Sequence, residues 1–294
     1  MKEGDTIFLS ASVPYRSPWT ENARASEIEE AIVSLARAVF ARGGRLVFGG
    51  HPSVSPLIAS VAGEYFPPDP SRKQRPIVTF QSRFFQDVLP NETMEMVHFG
   101  WSAIEWTPAL PGTTVGDSAP SLALMRAAML DIEGRAYGRH GLKPPAAMVA
   151  IGGMEGVRDE ADAFLVAPTP SSAMWKALHS LDRSRLQPAV GDEIGAVLAR
   201  FRRWPVPSPI YLFPSGGGAA ERLLTPDALN YNVAEDRQAD EKAISALTAA
   251  RSTGRIVDAE RHWRSEQRGL PETLLFQPYA AISQWLLDRT TAGG

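Results

Sequence analysis

Residues 144–167 read PPAAMVAIGGMEGVRDEADAFLVA, and this stretch decides the fold. A short apolar run ends in Gly152-Gly153 and is followed by EGVRDEADAFLVA, a helical segment. A brief apolar run bounded by breaking residues reads as a buried strand. Glycines at its end turn the chain into the helix. The same order recurs on both sides. Residues 7–12 (IFLSAS) are a strand that opens into small hydroxylated residues. Residues 24–41 follow as an amphipathic helix, with Ile28, Ile32, Leu35, Ala36 and Val39 at three- and four-residue spacing, stopped by Gly43-Gly44. RLVFGG (45–50) is a second strand ending in glycine, and HPSVSPLIASVAGEYF (51–66) is a helix entered through Pro and Ser.

Further along, FPPDPSRKQRP (66–76) is a surface loop, PIVTFQ (76–81) a third strand and VHFGWSAIEW (97–106) a fourth strand region. PALPGTTVGDSAP (108–120) is a loop and SLALMRAAMLDIEG (121–134) a helix of nearly continuous apolar character. A helical stretch around 187–203 precedes PIYLFPSGGGAAERL (209–223), which repeats strand, glycine loop and helix. No internal repeat is visible. Alternating strands and helices with glycine at the strand ends predict an α/β fold: a Rossmann-like, mostly parallel sheet with helices on both faces. Such strands are buried on both faces and read as apolar runs. Ligands of these folds sit beyond the carboxyl ends of the strands.

Residues 226–294 read differently. Residues 226–252 and PYAAISQWLLDRTT (278–291) are helical by period, joined by the charged, aromatic-bearing link RHWRSEQRG (261–269). We therefore expect residues 1–225 to form the main domain, with 226–294 a helical C-terminal extension packed on it. So few large apolar side chains would hold a separate domain only marginally.

Composition narrows the function classes. The 294 residues are 44% hydrophobic and 21% charged, an ordinary globular balance. With 30 Lys+Arg against 33 Asp+Glu the net charge is −3, without the basic footprint of a duplex-DNA binder or a polybasic membrane patch. There is no cysteine, so disulfides, thiolate metal sites and a Cys nucleophile are excluded. No apolar run spans a bilayer, and the stretch IFL near the N-terminus is too short for a signal sequence. The chain reads as soluble and cytoplasmic.

The chemistry is expected at three glycine loops: Gly49-Gly50-His51-Pro52-Ser53, Gly152-Gly153-Met154-Glu155-Gly156 and Ser215-Gly216-Gly217-Gly218. Glycine lets backbone approach a ligand closely, and the helix start behind it offers unpaired N–H groups and a positive dipole end. Together they make a seat for phosphate, to which Ser10 and Ser12 can add hydroxyl donors. Gly50, Gly153 and Gly217 should then share one sheet edge, and Gly153→Asp should abolish nucleotide binding while leaving the fold largely intact. None of these loops is a Walker A loop or a G-x-G-x-x-G fingerprint. Glycine at such turns also has a plain structural reading. Arg126 stands in an apolar helix and needs an acidic or anionic partner. Glu160 lies on the helix behind Gly153; Glu155 and Asp159 read as a solvated helix start. Arg126 and Glu160 are read either as a site pair or as a structural ion pair. His51 lies in a glycine loop, where contact with a ligand is plausible. The other histidines, His98, His140, His179 and His262, have no metal-binding spacing, so no metal or cofactor is expected.

IFLSASVP, LVFGGHPSVSPLI, AAMVAIGGMEGVRDEADAF and IYLFPSGGGAAERL together resemble the SLOG superfamily, over roughly residues 5–225. Its relatives include LOG-type phosphoribohydrolases, DprA-like proteins and ligand-sensing domains of melastatin-type channels and Thoeris effectors. The likeness is greatest to SLOG proteins of bacterial nucleotide-based conflict systems. The resemblance implies a Rossmann-like fold with nucleotide ligands at the glycine loops, and a dimer as in LOG relatives. The LOG motif PGGxGTxxE is matched by Gly152, Gly153, Gly156 and Glu160. Ile151 replaces its Pro, Val157 its Thr, and the loop is one residue longer. Met125-Arg126 sits on the helix that carries Met-His-x-Arg-Lys in LOG enzymes, without the His and Lys. The resemblance thus leaves two readings open. The chain is a sensor of a nucleotide-derived ligand, ADP-ribose-like or cyclic, with Arg126 neutralising a phosphate. Alternatively it is an N-glycosidase, with Glu160 acting at the anomeric carbon and Arg126 positioning the phosphate or leaving base. Nucleic-acid binding of the DprA type is opposed by the net charge.

Overall fold

The protein was analysed as a computed structural model. It describes residues 1–111, 113–114, 119–165, 177–178, 181, 186–201, 208–225, 245, 247–267, 269 and 277–290. Seven parallel strands make one sheet: β1 (Thr6–Ser12), β2 (Arg45–Phe48), β3 (Ile77–Ser82), β4 (Ser102–Thr107), β5 (Pro145–Gly152), β6 (Ile210–Phe213) and β7 (Ile256–Asp258). Their spatial order is β4-β3-β2-β1-β5-β6-β7. The chain steps outward from β1 to β4, returns to the other side of β1, and steps outward again to β7. Right-handed crossovers place helices on one face during the first run and on the other after the reversal.

The helices follow that rule. α1 (Ala25–Ala41), α2 (Ser55–Tyr65) and α3 (Asn91–His98) cover one face; α4 (Ala119–Leu130), α5 (Arg135–His140), α6 (Glu155–Leu165), α7 (Pro188–Phe201) and α8 (Gly218–Arg222) cover the other. α9 (Ala259–Glu266) and α10 (Tyr279–Arg289) return to the α1 face. Side chains alternate along each strand. Ile7, Leu9, Val149, Ile151 and Phe213 therefore pack beneath α1, while Phe8, Met148 and Leu212 pack beneath α4 and α6. That is why these strands read as unbroken apolar runs. α1 ends where Gly43 and Gly44 donate to the Phe40 and Val39 carbonyls at 3.0 and 2.9 Å.

The α/β class and the parallel sheet are as the sequence predicts, and helices do occupy the C-terminal part of the chain. Several local readings are corrected. Val97 and His98 close α3 rather than opening the fourth strand, which starts at Ser102. Asn91–His98 and Arg135–His140 are helices too short and too polar for their periods to stand out. Residues 131–134 fall past the end of α4, where Gly134 turns back to the Asp131 carbonyl at 2.8 Å. Ile256–Asp258 form a seventh strand where only helix was expected, and most of the link 261–269 is helix α9. Three residues give no period to read, but β6 leaves an open ladder for them, with Tyr211 opposite Val257. Of the helix expected over 226–252, residues 226–244 and 246 lie outside the described residues; 247–252 are helical.

Phe164 of α6 is fully buried and stacks on Phe8 of β1 with centroids 6.1 Å apart. Phe164→Ala should therefore cost about 3–5 kcal/mol in denaturant unfolding, through lost burial and a cavity that a packed sheet cannot collapse.

Candidate functional site

The strand order reverses between β1 and β5, where flanking connections leave in opposite directions, and folds of this type bind ligands beyond the carboxyl ends of the strands at such a reversal. Ser10 pairs with Ala150 there, and Ser12 with Gly152. Hydrogen bonds from backbone N–H groups tie the three glycine loops together across this edge. The Val13 N–H donates to Ser53 Oγ at 3.0 Å, tying the first loop to the end of β1. The Gly153 N–H donates to the Ser12 carbonyl at 2.7 Å, and the Ala219 N–H to the Gly153 carbonyl at 2.9 Å. Gly50, Gly153 and Gly217 thus belong to connected loops on one edge.

The charged centre is built from α4 and α6. Glu160 is 8% exposed, and Ser10 Oγ donates to its Oε2 at 2.5 Å. Arg126 Nε lies 3.4 Å from Glu160 Oε1, and Arg126 Nη1 lies 3.7 Å from Asp159 Oδ2. These are ion-pair distances, and Arg126 Nε, though buried, makes no well-aligned hydrogen bond to a described residue. One donor of the guanidinium fork is thus buried with its directional bonding unused. Burial pushes the Glu160 carboxyl above its ordinary value, against the pull of Arg126 and Ser10.

His51 borders this centre. Its Nδ1 accepts from the Ser53 N–H at 3.2 Å and lies 2.8 Å from Ser53 Oγ. Nδ1 therefore carries no proton, and the ring proton sits on Nε2. Burial, with the Arg126 charge nearby, holds the imidazole below its ordinary value, so the ring is neutral.

Two glycines are required here for different reasons. Gly153 has φ +88°, and a Cβ there would stand 2.1 Å from Val157 Cγ2. Gly153→Asp is accordingly strained and clashing, so the expectation of an intact fold is corrected: loss of binding in that variant would be confounded by loss of stability. At Gly156 a Cβ would meet Arg126 Nη2 at 2.5 Å. The absent side chain is what lets the guanidinium lie against the first turn of α6.

The remaining sequence-predicted residues divide. Ser12 contributes its carbonyl to Gly153. Gly49 packs beside Met125, the neighbour of Arg126, and its carbonyl accepts from Gln81 Nε2 at 3.3 Å. Glu155 is taken by Arg16, whose Nη2 is 2.8 Å from Oε2 on the exposed side of α6. Ser215 and Gly216 belong to the opposite face. Ser215 Oγ lies 2.7 Å from Glu260 Oε1, and the Gly216 carbonyl accepts from the Arg24 N–H at 3.0 Å. Neither is brought to Arg126 and Glu160.

Sequence reasoning passed over the loop between β1 and α1. Besides Arg16, it carries Trp19, buried under the Arg222 guanidinium 4.7 Å from the ring centroid. The cluster YRSPW (15–19) was the signal available. Asp159, read as a solvated helix start, is a mostly buried acceptor between Arg126 and Arg158. Among the described residues no group of His, Asp and Glu could hold a metal ion, and no helix is long and apolar enough to cross a membrane.

A family model described as the SLOG cluster3 family matches residues 18–177. That span holds Arg126, Glu160 and the first two glycine loops, and ends before β6. No curated protein matches the chain.

Gly156→Ala should leave the melting temperature within a few degrees of wild type, because only the far end of a flexible side chain must move and Ala favours the helix by about 1 kcal/mol. It should nevertheless displace the guanidinium. Labelling of Arg126 by phenylglyoxal, read by mass spectrometry, should change in this variant.

Proposed function

This chain belongs to the SLOG cluster3 family, and on that premise we propose that it senses a nucleotide-derived ligand, ADP-ribose-like or cyclic, bound in the crevice between β1 and β5. The observation that carries this reading is Arg126: a mostly buried guanidinium, its Nε without a hydrogen-bond partner among the described residues, beside the glycine turn at the start of α6. An oxyanion satisfies such a fork better than the distant carboxylates do. The N–H groups at the start of α6 favour the same negative charge. The neutral His51 ring adds a donor without adding charge. In this reading the protein acts in bacterial conflict signalling, as the family resemblance implies.

A second reading has its own observation. Glu160 is a buried carboxyl with a raised pKa, oriented by Ser10. A carboxyl tuned this way suits proton transfer or stabilisation of a ribosyl oxocarbenium ion during cleavage of an N-glycosidic bond. Arg126 would then anchor the phosphate of a nucleotide substrate.

Two variants test both readings. Glu160→Gln should change the melting temperature little, because burial already disfavours the charged form and a neutral isostere keeps the Ser10 contact. Arg126→Gln should weaken ADP-ribose binding in calorimetry by at least about tenfold, through loss of charge-assisted bonds. Base release from nucleoside monophosphates or NAD, absent in Glu160→Gln, would establish the glycosidase. A large loss of stability in Glu160→Gln, about 3–5 kcal/mol, with no binding of ADP-ribose or cyclic nucleotides to wild type, would make the pair purely structural.

A further inference from the structure

On the opposite face of the sheet, four side chains from four parts of the fold form a chain of oxygen contacts. Glu260 is the second residue of α9 and is 4% exposed. Its Oε1 lies 2.7 Å from Ser215 Oγ and accepts from the Ser215 N–H at 3.1 Å. Ser215 Oγ in turn contacts the hydroxyl of Tyr279, the first residue of α10. That hydroxyl also contacts Glu27 Oε2 on α1.

Counting protons decides what this chain is. Each of the three oxygen–oxygen contacts needs one hydrogen between its atoms. The Ser215 and Tyr279 hydroxyls supply one each. With both carboxylates ionised, the third contact would bring two lone pairs together. We propose that Glu260, Ser215, Tyr279 and Glu27 hold one additional proton in common, and that this proton latches α9 and α10 onto α1 and the third glycine loop. With the proton on Glu260, its hydroxyl donates to Ser215, Ser215 to Tyr279, and Tyr279 to Glu27, so every contact is satisfied.

The surroundings keep the proton on the Glu260 end. Burial pushes this carboxyl up to about 7; its hydrogen bonds with Ser215 and the Arg264 charge pull the other way, and the Asp258 charge from β7 adds to the rise. Glu27 from α1 and Tyr279 from α10 complete the groups facing it. A carboxyl whose pKa is higher in the folded than in the unfolded state binds the proton preferentially in the folded state. Its stabilising effect is present at low pH and is lost as pH rises from the ordinary carboxylate range to about 7. Loss of the proton leaves Ser215 donating to Glu260 and Tyr279 to Glu27, so the contact that fails is the one between Ser215 and Tyr279, which joins the third glycine loop to the head of α10. The latch also reaches the crevice, because the loop that begins at Ser215 ends with Ala219 bonded to the Gly153 carbonyl.

The test is amide hydrogen exchange on the full chain at about pH 5.5 and about pH 8.5, corrected for intrinsic rates. Protection across 256–266 and 277–290 should fall at least about tenfold at the higher pH, while β1 and β5 change little. Glu260→Gln places a permanent neutral donor beside Ser215 and should keep the protection high at both pH values. Equal protection of wild type at both pH values, or an unaltered pH dependence in Glu260→Gln, would overturn the proposal. Carbon-13 titration of the wild-type Glu carboxyls keeps the question decidable if that variant does not fold. A carboxyl titrating near neutrality, with its signal lost in Tyr279→Phe or shifted to the ordinary range, supports the latch; only ordinary midpoints would sink it.

Discussion

The Gly153 N–H donates to the Ser12 carbonyl at 2.7 Å, and this bond sits where the order of the strands reverses. It closes β5 onto β1 at the carboxyl edge, after which the two chains must diverge to opposite faces. β1 continues into the loop that precedes α1, and β5 turns at once into α6. The crevice is the gap left by that divergence. Gly153 occupies the turn with a positive φ, so the sharp exit of α6 and the opening above it share one backbone constraint. The third glycine loop rests on the same residue, through the Ala219 N–H.

Charge is distributed unevenly around this edge. Beneath α4 and α6 the Arg126 guanidinium is flanked by Asp159 and Glu160 at distances that attract but do not saturate it. A buried pair of this sort adds little net stability, because desolvation offsets most of the attraction. Beneath α1, by contrast, the polar groups satisfy one another: Glu260, Ser215, Tyr279 and Glu27 bond in series and hold the C-terminal helices in place. The polar cluster beside α6 is thus incompletely paired, whereas the one beneath α1 is bonded in series. The third glycine loop lies between them, with Ser215 facing one layer and Ala219 packed in the other.

Histidine use follows the same division. His51 is set by Ser53 in the loop at the crevice. His140 lies 2.9 Å from Glu105 on the edge strand β4, with Arg139 on the same carboxylate at 3.0 Å. That cluster secures α5 to the edge of the sheet and is remote from the strand reversal. Two histidines near carboxylates or hydroxyls therefore have different settings, and sequence spacing alone does not separate them.

What the sequence by itself determined is the layer architecture and the short list of turns. Apolar runs such as MVAI, ending in Gly152-Gly153 and followed by a helix, permit few arrangements other than a parallel sheet covered on both faces. Arg126 and Glu160 also stood out, because a lone Arg in an apolar helix demands a partner. Only the tertiary structure decided that the two meet, that Asp159 is drawn in with them, and that Ser215 turns away to Glu260. The reason is geometric: the side-chain face of a residue just past a strand end depends on the turn, and one residue of difference exchanges the two layers. β7 was hidden for a related reason. Its three residues have no period of their own and become a strand only because β6 offers an open ladder.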